Sequence, residues 1–415
     1  MPMSRDAIVR ILLTVTLFAS AVNVWAGVSI DMVPVDNSGN VADGTGYGAV
    51  GYSYQIGKYE VTAAQYAAFL NAVAATDPYG LYSTSMWTAL SGCKIQRSGE
   101  SGSYTYSVAS DYSNRPVNCV SWYDALRFVN WLQNGQGNGS TEQGTYTITG
   151  TGPDWTVGIP SAAVRATWTA GNGHWVLPSE NEWYKAAYHK NDGPTGNYWD
   201  YPTGVDAPST PGHDMTETTN PGNNANYWGT SIPLDSPYYT TNRGEFQLSD
   251  SAYGTYDQGG NVWEWNQTRI ALRGGSFVYP SAALLATARG GYGTGGPLVP
   301  EFETPDVGFR VAFVPESIPG DTNRDGKVDD DDAKTLAAHW GQTGGWAQGD
   351  FNNDTVINTL DTAILAAHWG HGVTVEQGNP STAVPEPTVL AMLACLVLVV
   401  GGRRARGENV LRARP

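Results

Sequence analysis

The chain is poor in cysteine, in basic residues and in long apolar runs, and each shortage narrows what it can do. Of three cysteines in 415 residues, Cys395 lies in an apolar tail. Only Cys93 and Cys119 remain for the body. An oxidising compartment would let them pair as a disulfide, subject to a Cβ geometry that sequence does not contain. Lys and Arg number 23 against 39 Asp and Glu, a net charge of −16. The first 26 residues carry +1 and the segment beyond Pro387 carries +4, so a body without those ends carries −21. Such a surface repels phosphate backbones, which argues against nucleic acid as a partner. No apolar run reaches the ~20 residues of an ordinary membrane-spanning helix.

Two short apolar runs sit at the ends. Arg5 and Arg10 precede Ile11–Val22, and Val24-Trp25-Ala26 supplies a small-residue cleavage site, the pattern of a signal peptide over residues 1–26. At the other end Val384-Pro385-Glu386-Pro387 leads into Val389–Val400, two glycines, and Arg403, Arg404 and Arg406. A short hydrophobic stretch with a basic stop leaves the arginines on the cytoplasmic side. This segment, residues 384–406, is similar to PEP-CTERM sorting signals, which implies an exosortase-type processing enzyme as a partner. Residues 373–383 would be a linker and 407–415 a cytoplasmic tail. A plain membrane anchor at either end would place the folded part on the same side, outside the cytoplasm. The 50 glycines and 24 prolines fit a loop-rich exported protein better than a helical cytosolic enzyme.

Helical spacing occurs in three places. Thr62 precedes Tyr66, Phe69, Leu70 and Val73. Ser121, with Asp124 three residues on, precedes Trp122, Ala125, Leu126, Val129 and Leu132. Ser179 and Glu182 form a capping box after Pro178 and open a helix through Tyr188. Trp122, Trp131 and Trp183 lie on these stretches and read as packing residues. Elsewhere Tyr146–Thr149, Trp175–Leu177, Ala271–Arg273 and Phe309–Val314 look like short strands between Gly, Asn and Pro turns. Residues 191–250 carry almost only loop signals. Periodicity alone gives an α+β class.

Composition changes at 315–320, and an internal repeat follows. Asp321 recurs as Asp350, and His339-Trp340-Gly341 as His368-Trp369-Gly370, both at an offset of 29 residues. Asp321, Asn323, Asp325, the Lys327 carbonyl, Asp329 and Asp332 occupy the ligand positions of a calcium loop, with Gly326 at its sharp turn. Asp350, Asn352, Asp354, the Val356 carbonyl, Asn358 and Asp361 repeat the set. Thr355 stands at the second turn, which predicts a weaker second site. A helix is expected from Asp332, carrying Leu336 inward. Nine carboxylates against three basic residues give residues 321–372 a charge of −6, which two calcium ions would cut to −2. Folding is therefore expected to be coupled to binding. Asp in the last ligand position of both copies is similar to the type I dockerin, a small all-α calcium-binding unit, here residues 317–372. That resemblance implies a cohesin-like protein as partner.

The centre carries Tyr59–Gln65 (YEVTAAQ), Asn114–Ala125 (NRPVNCVSWYDA), Trp175–Ala187 (WVLPSENEWYKAA), Tyr256–Trp265 (YDQGGNVWEW), Leu272–Phe277 (LRGGSF) and Val307–Phe313 (VGFRVAF). In this order they resemble the formylglycine-generating enzyme / sulfatase-modifying factor family over residues 46–316, with 27–45 as a preceding segment. The resemblance implies a C-type-lectin-like α+β fold with few helices and short antiparallel strands. It implies core calcium on Asp257, the Gly260 and Val262 carbonyls and Glu264, and a second site on Asn226, the Tyr227 carbonyl and Asp235. The alternative for Glu264 is a buried carboxylate paired with Arg273 or Arg310. Trp263 and Ser276 match residues lining the oxidase groove, which accommodates an extended peptide.

The oxidases of that family hold copper with two cysteines, three and eight residues beyond the serine. Tyr279 and Leu284 stand there in this chain, and neither is a copper ligand. The iron-dependent relatives need a three-histidine-type site. Histidines 174, 189, 213, 339, 368 and 371 show no H-x-x-x-H-x-E spacing, and a lone one such as His174 reads as structural. Calcium is thus the expected cofactor, with no copper or iron. The expected role is binding of a peptide or glycan, or attachment, at the cell envelope. A formylglycine-type oxidoreductase, or an accessory component of polysaccharide degradation held by the dockerin, is the alternative.

Overall fold

The computed structural model describes residues 27–372 apart from 153–154, 167, 169–172, 230–232, 270, 291–298, 316 and 353. The expected signal peptide, linker, sorting segment and tail lie outside the described residues, and Cys395 with them. The helices, in chain order, are α1 (Ala63–Val73), α2 (Ser85–Thr88), α3 (Trp122–Gln133), α4 (Ala162–Ala166), α5 (Glu180–Tyr188), α6 (Asp330–Ala338) and α7 (Thr359–His368). The strands are β1 (Met32–Val35), β2 (Tyr54–Gly57), β3 (Ile95–Ser98), β4 (Thr105–Val108), β5 (Thr147–Thr149), β6 (Thr156–Gly158), β7 (His174–Val176), β8 (Trp263–Trp265), β9 (Leu272–Arg273), β10 (Val307–Phe309) and β11 (Ala312–Val314). No helix among the described residues is long and apolar enough to cross a membrane.

Each capping signal in the central region starts a helix. Thr62 Oγ1 accepts from Gln65 N at 3.2 Å, while the Gln65 side chain accepts from Thr62 N at 2.9 Å. Ser121 with Asp124 and Ser179 with Glu182 close the same reciprocal box on α3 and α5. The apolar faces of α1 and α3 meet in one aromatic core, where Phe69 and Phe128 pack edge to face at 5.4 Å and both touch Trp131. Trp122, Trp131 and Trp183 are buried, as packing residues should be.

Sheet pairing departs from the sequence reading at one segment. Phe309–Val314, expected as a single strand, divides between two sheets. β11 lies antiparallel between β2 and β7, in the order β1-β2-β11-β7, whereas β10 runs parallel to β8 in the order β10-β8-β9. The division falls at Arg310, whose fully buried side chain is bonded to Glu264 on β8. That bond holds 307–309 beside β8 and lets the chain swing to the other sheet.

The C-terminal repeats interlock through their backbones. Val328 N donates to His371 O and Gly370 N to Val328 O, and one repeat on, Ile357 N donates to Gln342 O and Gly341 N to Ile357 O. Each loop is therefore tied to the segment that follows the other repeat's helix. Val328, Ala333, Leu336, Phe351, Ile357 and Leu365 form the shared apolar cluster. α6 begins two residues earlier than expected, because Asp329 is its N-cap and Asp332 closes the box. The unit rests on the central region through Arg324, which is 3% exposed. Its Nη1 donates to Arg165 O at 3.3 Å, and its guanidinium lies 5.5 Å from the Tyr52 ring. Ser317 N and Oγ both donate to Trp168 O at 2.8 Å.

Candidate functional site

Each repeat gathers its acidic side chains by backbone bonds. In the first loop Asp321 accepts from Arg324 N at 2.5 Å and from Gly326 N at 3.0 Å, and Asp332 accepts from Thr322 N at 2.7 Å and Asp329 N at 2.9 Å. Asn323 accepts from Asp325 N, and Asp325 from Lys327 N. In the second, Asp350 accepts from Thr355 N and Asp361 from Phe351 N and Asn358 N. Asn352 accepts from Asp354 N, and Asp354 from Val356 N. Carboxylate oxygens of Asp350, Asp354 and Asp361 lie within 4.8 Å of one another, close enough for one hard cation to bridge them. Asp329 and Asn358 double as helix N-caps. Burial, with the charges of Asp332 and Asp325, pushes the Asp321 carboxyl up to about 7. The turn residue has positive φ in both copies, 86° at Gly326 and 70° at Thr355. Only the glycine adopts that conformation without strain.

The residues matched to the oxidase groove are closed off. Ser276 is fully buried, with its Oγ donating to Asp306 Oδ2 at 3.3 Å, and Trp263 is buried beneath the Tyr279 ring, which meets it edge-on at 5.5 Å. Leu284 is enclosed with Tyr201 and Ala225. Next to them, Trp228 donates its backbone N–H to Tyr279 O at 2.8 Å, and the residue is 57% exposed. Sequence reasoning missed Trp228 because it lies in a loop without periodicity. Cys93 and Cys119, considered as a disulfide, are both buried and unbonded. Burial pushes the Cys93 thiol up to about 11 and Cys119 higher still.

Of the core set implied by the resemblance, Asp257 lines a small void that Gly260, Val262 and Glu264 do not line. Gly260 bridges Asn226, and a Cβ on Gly260 would stand 2.3 Å from Asn226 O, so only glycine fits. Asp257 accepts from Gly244 N at 2.6 Å and borders a void of about 10 Å³ lined also by Asn224, Ser249, Thr255 and Gln258. The space suits one water or one ion, and the oxygen-rich lining suits a hard cation. Burial lifts the Asp257 carboxyl to about 6. Glu264 is placed differently. Arg310 Nε and Nη2 donate to its two oxygens at 2.7 Å, and Trp183 Nε1 donates at 2.8 Å. Its ion-pair partner is Arg310, while Arg273 goes to Glu180. Val262 is buried in the turn before β8. Asp235, from the second set, pairs with Arg115 at 2.7 Å, and Asn226 Nδ2 donates to Tyr239 O. His174, read as structural, stacks on Trp168 with centroids 4.0 Å apart.

The sequence did not single out Glu60. It is 2% exposed, and Asn261 Nδ2 donates to its Oε2 at 3.0 Å. Its Oε1 is buried with no hydrogen-bond partner among the described residues. Burial pushes the Glu60 carboxyl well above the usual range, and the charges of Asp257 and Glu264 add to that.

The family described as sulfatase-modifying factor enzyme 1-like domain matches residues 48–314. Among solved structures, the chain is similar to Treponema denticola variable protein 1 at 19% identity, over 69% of this chain and 96% of that one, with a TM-score of 0.40. It is similar to CarF at 21% identity, over 70% and 99%, with a TM-score of 0.42. It is also similar to PvdO from Pseudomonas aeruginosa at 16% identity, over 69% and 92%, with a TM-score of 0.34. No curated protein matches it.

Proposed function

The chain belongs to the sulfatase-modifying factor enzyme 1-like family through residues 48–314, and we propose that it is a binding member of that family and not an oxidase. The observation that carries the reading is what fills the two oxidase cysteine positions: a tyrosine ring against Trp263 and a leucine in the core. Copper(I) there needs soft sulfur donors, and exchange with a substrate thiol needs a thiolate. Cys93 and Cys119 are poor substitutes, because burial keeps both thiols protonated at neutral pH. The exposed Trp228 ring offers stacking area for a sugar or an extended peptide.

In this reading the C-terminal repeats are a dockerin-like attachment module that takes two calcium ions and a cohesin-like partner. A further calcium is held at Asp257 in the central domain. The end segments direct the chain to the cell envelope, with an exosortase-type enzyme processing the C-terminus. The test uses the full chain on glycan and peptide arrays. Binding should be weakened about tenfold by Trp228→Ala, the effect of losing one stacking platform. In parallel, a sulfatase-type cysteine peptide incubated with the protein, with and without copper, should show no aldehyde by mass spectrometry. Aldehyde formation that vanished with Cys93→Ser or Cys119→Ser would overturn the reading.

A further inference from the structure

A cavity of about 300 Å³ lies beside the N-terminus of α5. Four stretches of chain converge on it: residues 47–52 before β2, the first residue of α4, the first turn of α5, and Thr268 beyond β8. The walls are held by bonds that use up their strongest groups. Glu180 is the only side chain in the lining that is charged at neutral pH, and it is buried. Arg289 Nε and Nη2 donate to its two oxygens at 2.8 and 2.9 Å, and Arg273 Nε donates to one of them at 2.9 Å. The Arg273 guanidinium in turn lies 4.5 Å from the Tyr47 ring. Asn181 Oδ1 accepts from Gly48 N at 3.1 Å and ties the loop to α5, while the Tyr52 hydroxyl donates to Glu182 Oε1 at 2.5 Å.

The hydrogen-bonding capacity left over is neutral. Ser179 Oγ accepts from Glu182 N at 3.2 Å but spends no proton, and Asn181 uses only its oxygen. The Tyr47 and Thr268 side-chain hydroxyls have no hydrogen-bond partner among the described residues, and all of these residues are half-buried. Alanine, valine and glycine complete the lining. Each property excludes a class of ligand. An ion would lose its hydration with no free counter-charge to replace it. A wholly apolar molecule would cover these hydroxyls and the amide without bonding them. A ring with C–H faces and a hydroxyl rim meets both the tyrosine rings and the neutral polar groups. The volume stands at the lower end of the range for small-molecule sites, as a single ring requires.

We infer that this cavity is a binding site for one neutral sugar ring. It goes beyond the proposed role of Trp228, which is not part of its lining, and neither site needs the other. The Tyr47 and Tyr52 rings face the C–H surface of the sugar, and Ser179, Asn181 and Thr268 bond its hydroxyls.

The test is saturation-transfer NMR on the full chain with glucose, galactose, mannose and N-acetylglucosamine, followed by titration of those that respond. Their methyl glycosides are run beside them, so that a free sugar and one residue of a glycan are told apart. Glucuronic acid and glucosamine are the charged comparators. At least one neutral sugar should bind, and Ala162→Phe, which fills the cavity from α4, should abolish the signal. Thr268→Val and Tyr47→Phe each remove one hydroxyl and should weaken binding about fivefold. Circular dichroism checks that each variant is folded, and the two hydroxyl variants decide the matter if Ala162→Phe is not. The inference fails if no neutral sugar binds, if a charged comparator binds better, or if filling the cavity leaves binding intact. Binding lost in Trp228→Ala but kept in Ala162→Phe would assign the sugar to Trp228, overturning the inference while the binding reading stands.

Discussion

The central domain and the C-terminal repeats treat buried acid in opposite ways. In the central domain, Glu182 meets Arg165 at 2.5 Å, Glu264 meets Arg310 at 2.7 Å, and Glu180 meets both Arg273 and Arg289 at 2.8 Å. Each pair is charge-assisted, and Arg310 on Glu264 and Arg289 on Glu180 form two-pronged forks. In the repeats, Asp321, Asp332, Asp350 and Asp361 are as deeply placed, yet the bonds that hold them come from backbone N–H groups and a threonine hydroxyl. Of the two basic residues within the first loop, Arg324 points at the central domain instead. The difference assigns different sources of stability. The central domain carries these counter-charges on its own chain, whereas in the calcium reading proposed above the repeats take counter-charge from solution.

Removing that counter-charge should give the largest effect. In a chelator, hydrogen exchange of the full chain should show α6 and α7 unprotected while α1 and α3 stay protected. Repeats that remain protected without calcium would break the comparison. Next, Arg310→Met strips the fixed charge from Glu264 and should cost about 3–5 kcal/mol in a denaturant titration, a loss that calcium does not restore. A cost below ~1 kcal/mol would mean that the fork is dispensable.

A smaller change sharpens the comparison inside the repeats. Thr355→Gly relieves the positive φ of 70° and should tighten calcium at the second loop by about 1 kcal/mol, roughly fivefold by calorimetry. Gly326→Thr should weaken the first loop by a similar factor. The smallest effect concerns Asp124, a central carboxylate held by Ser121 instead of by an arginine. Burial raises it from 3.8 to about 7, so between those values the folded state holds the proton more firmly than the unfolded chain. Stability from this group therefore falls as pH rises through that window. Asp124→Asn should flatten the dependence of Tm on pH between about 4 and 7 by a few degrees.

What was legible in the sequence was local. The three capping boxes, the faces of α1 and α3 and the gathering of acidic side chains in each repeat depend on residues within a few turns of chain, and each has its place in the structure. The segment Phe309–Val314 looked like one strand because it is rich in β-branched and aromatic residues with no Gly or Pro to break it. Only the tie from Arg310 to Glu264 shows why it divides. That tie also separates Arg310 from Arg273, a choice that requires knowing β10 lies beside β8. Glu60 stood in a quoted motif without attracting attention, since an orphaned oxygen is a property of its neighbours and not of its spacing. The burial of Trp263 was hidden for the same reason: it follows from where the Tyr279 ring lies.

Arg324 gives the molecule a mechanical asymmetry. The first loop is seated on the central domain through Tyr52 and Arg165, while Leu360 at the start of α7 is 59% exposed and faces outward. A pull applied at the second repeat travels through the interlocked backbones to the first. It then enters the central sheet by way of Ser317 on Trp168 and the guanidinium on Tyr52. Under load the guanidinium contact is the weaker fastening, because a 5.5 Å cation–π contact and one 3.3 Å hydrogen bond resist far less than a packed core. The module would hinge there before either domain unfolds, and its bearing on the central domain would be lost first.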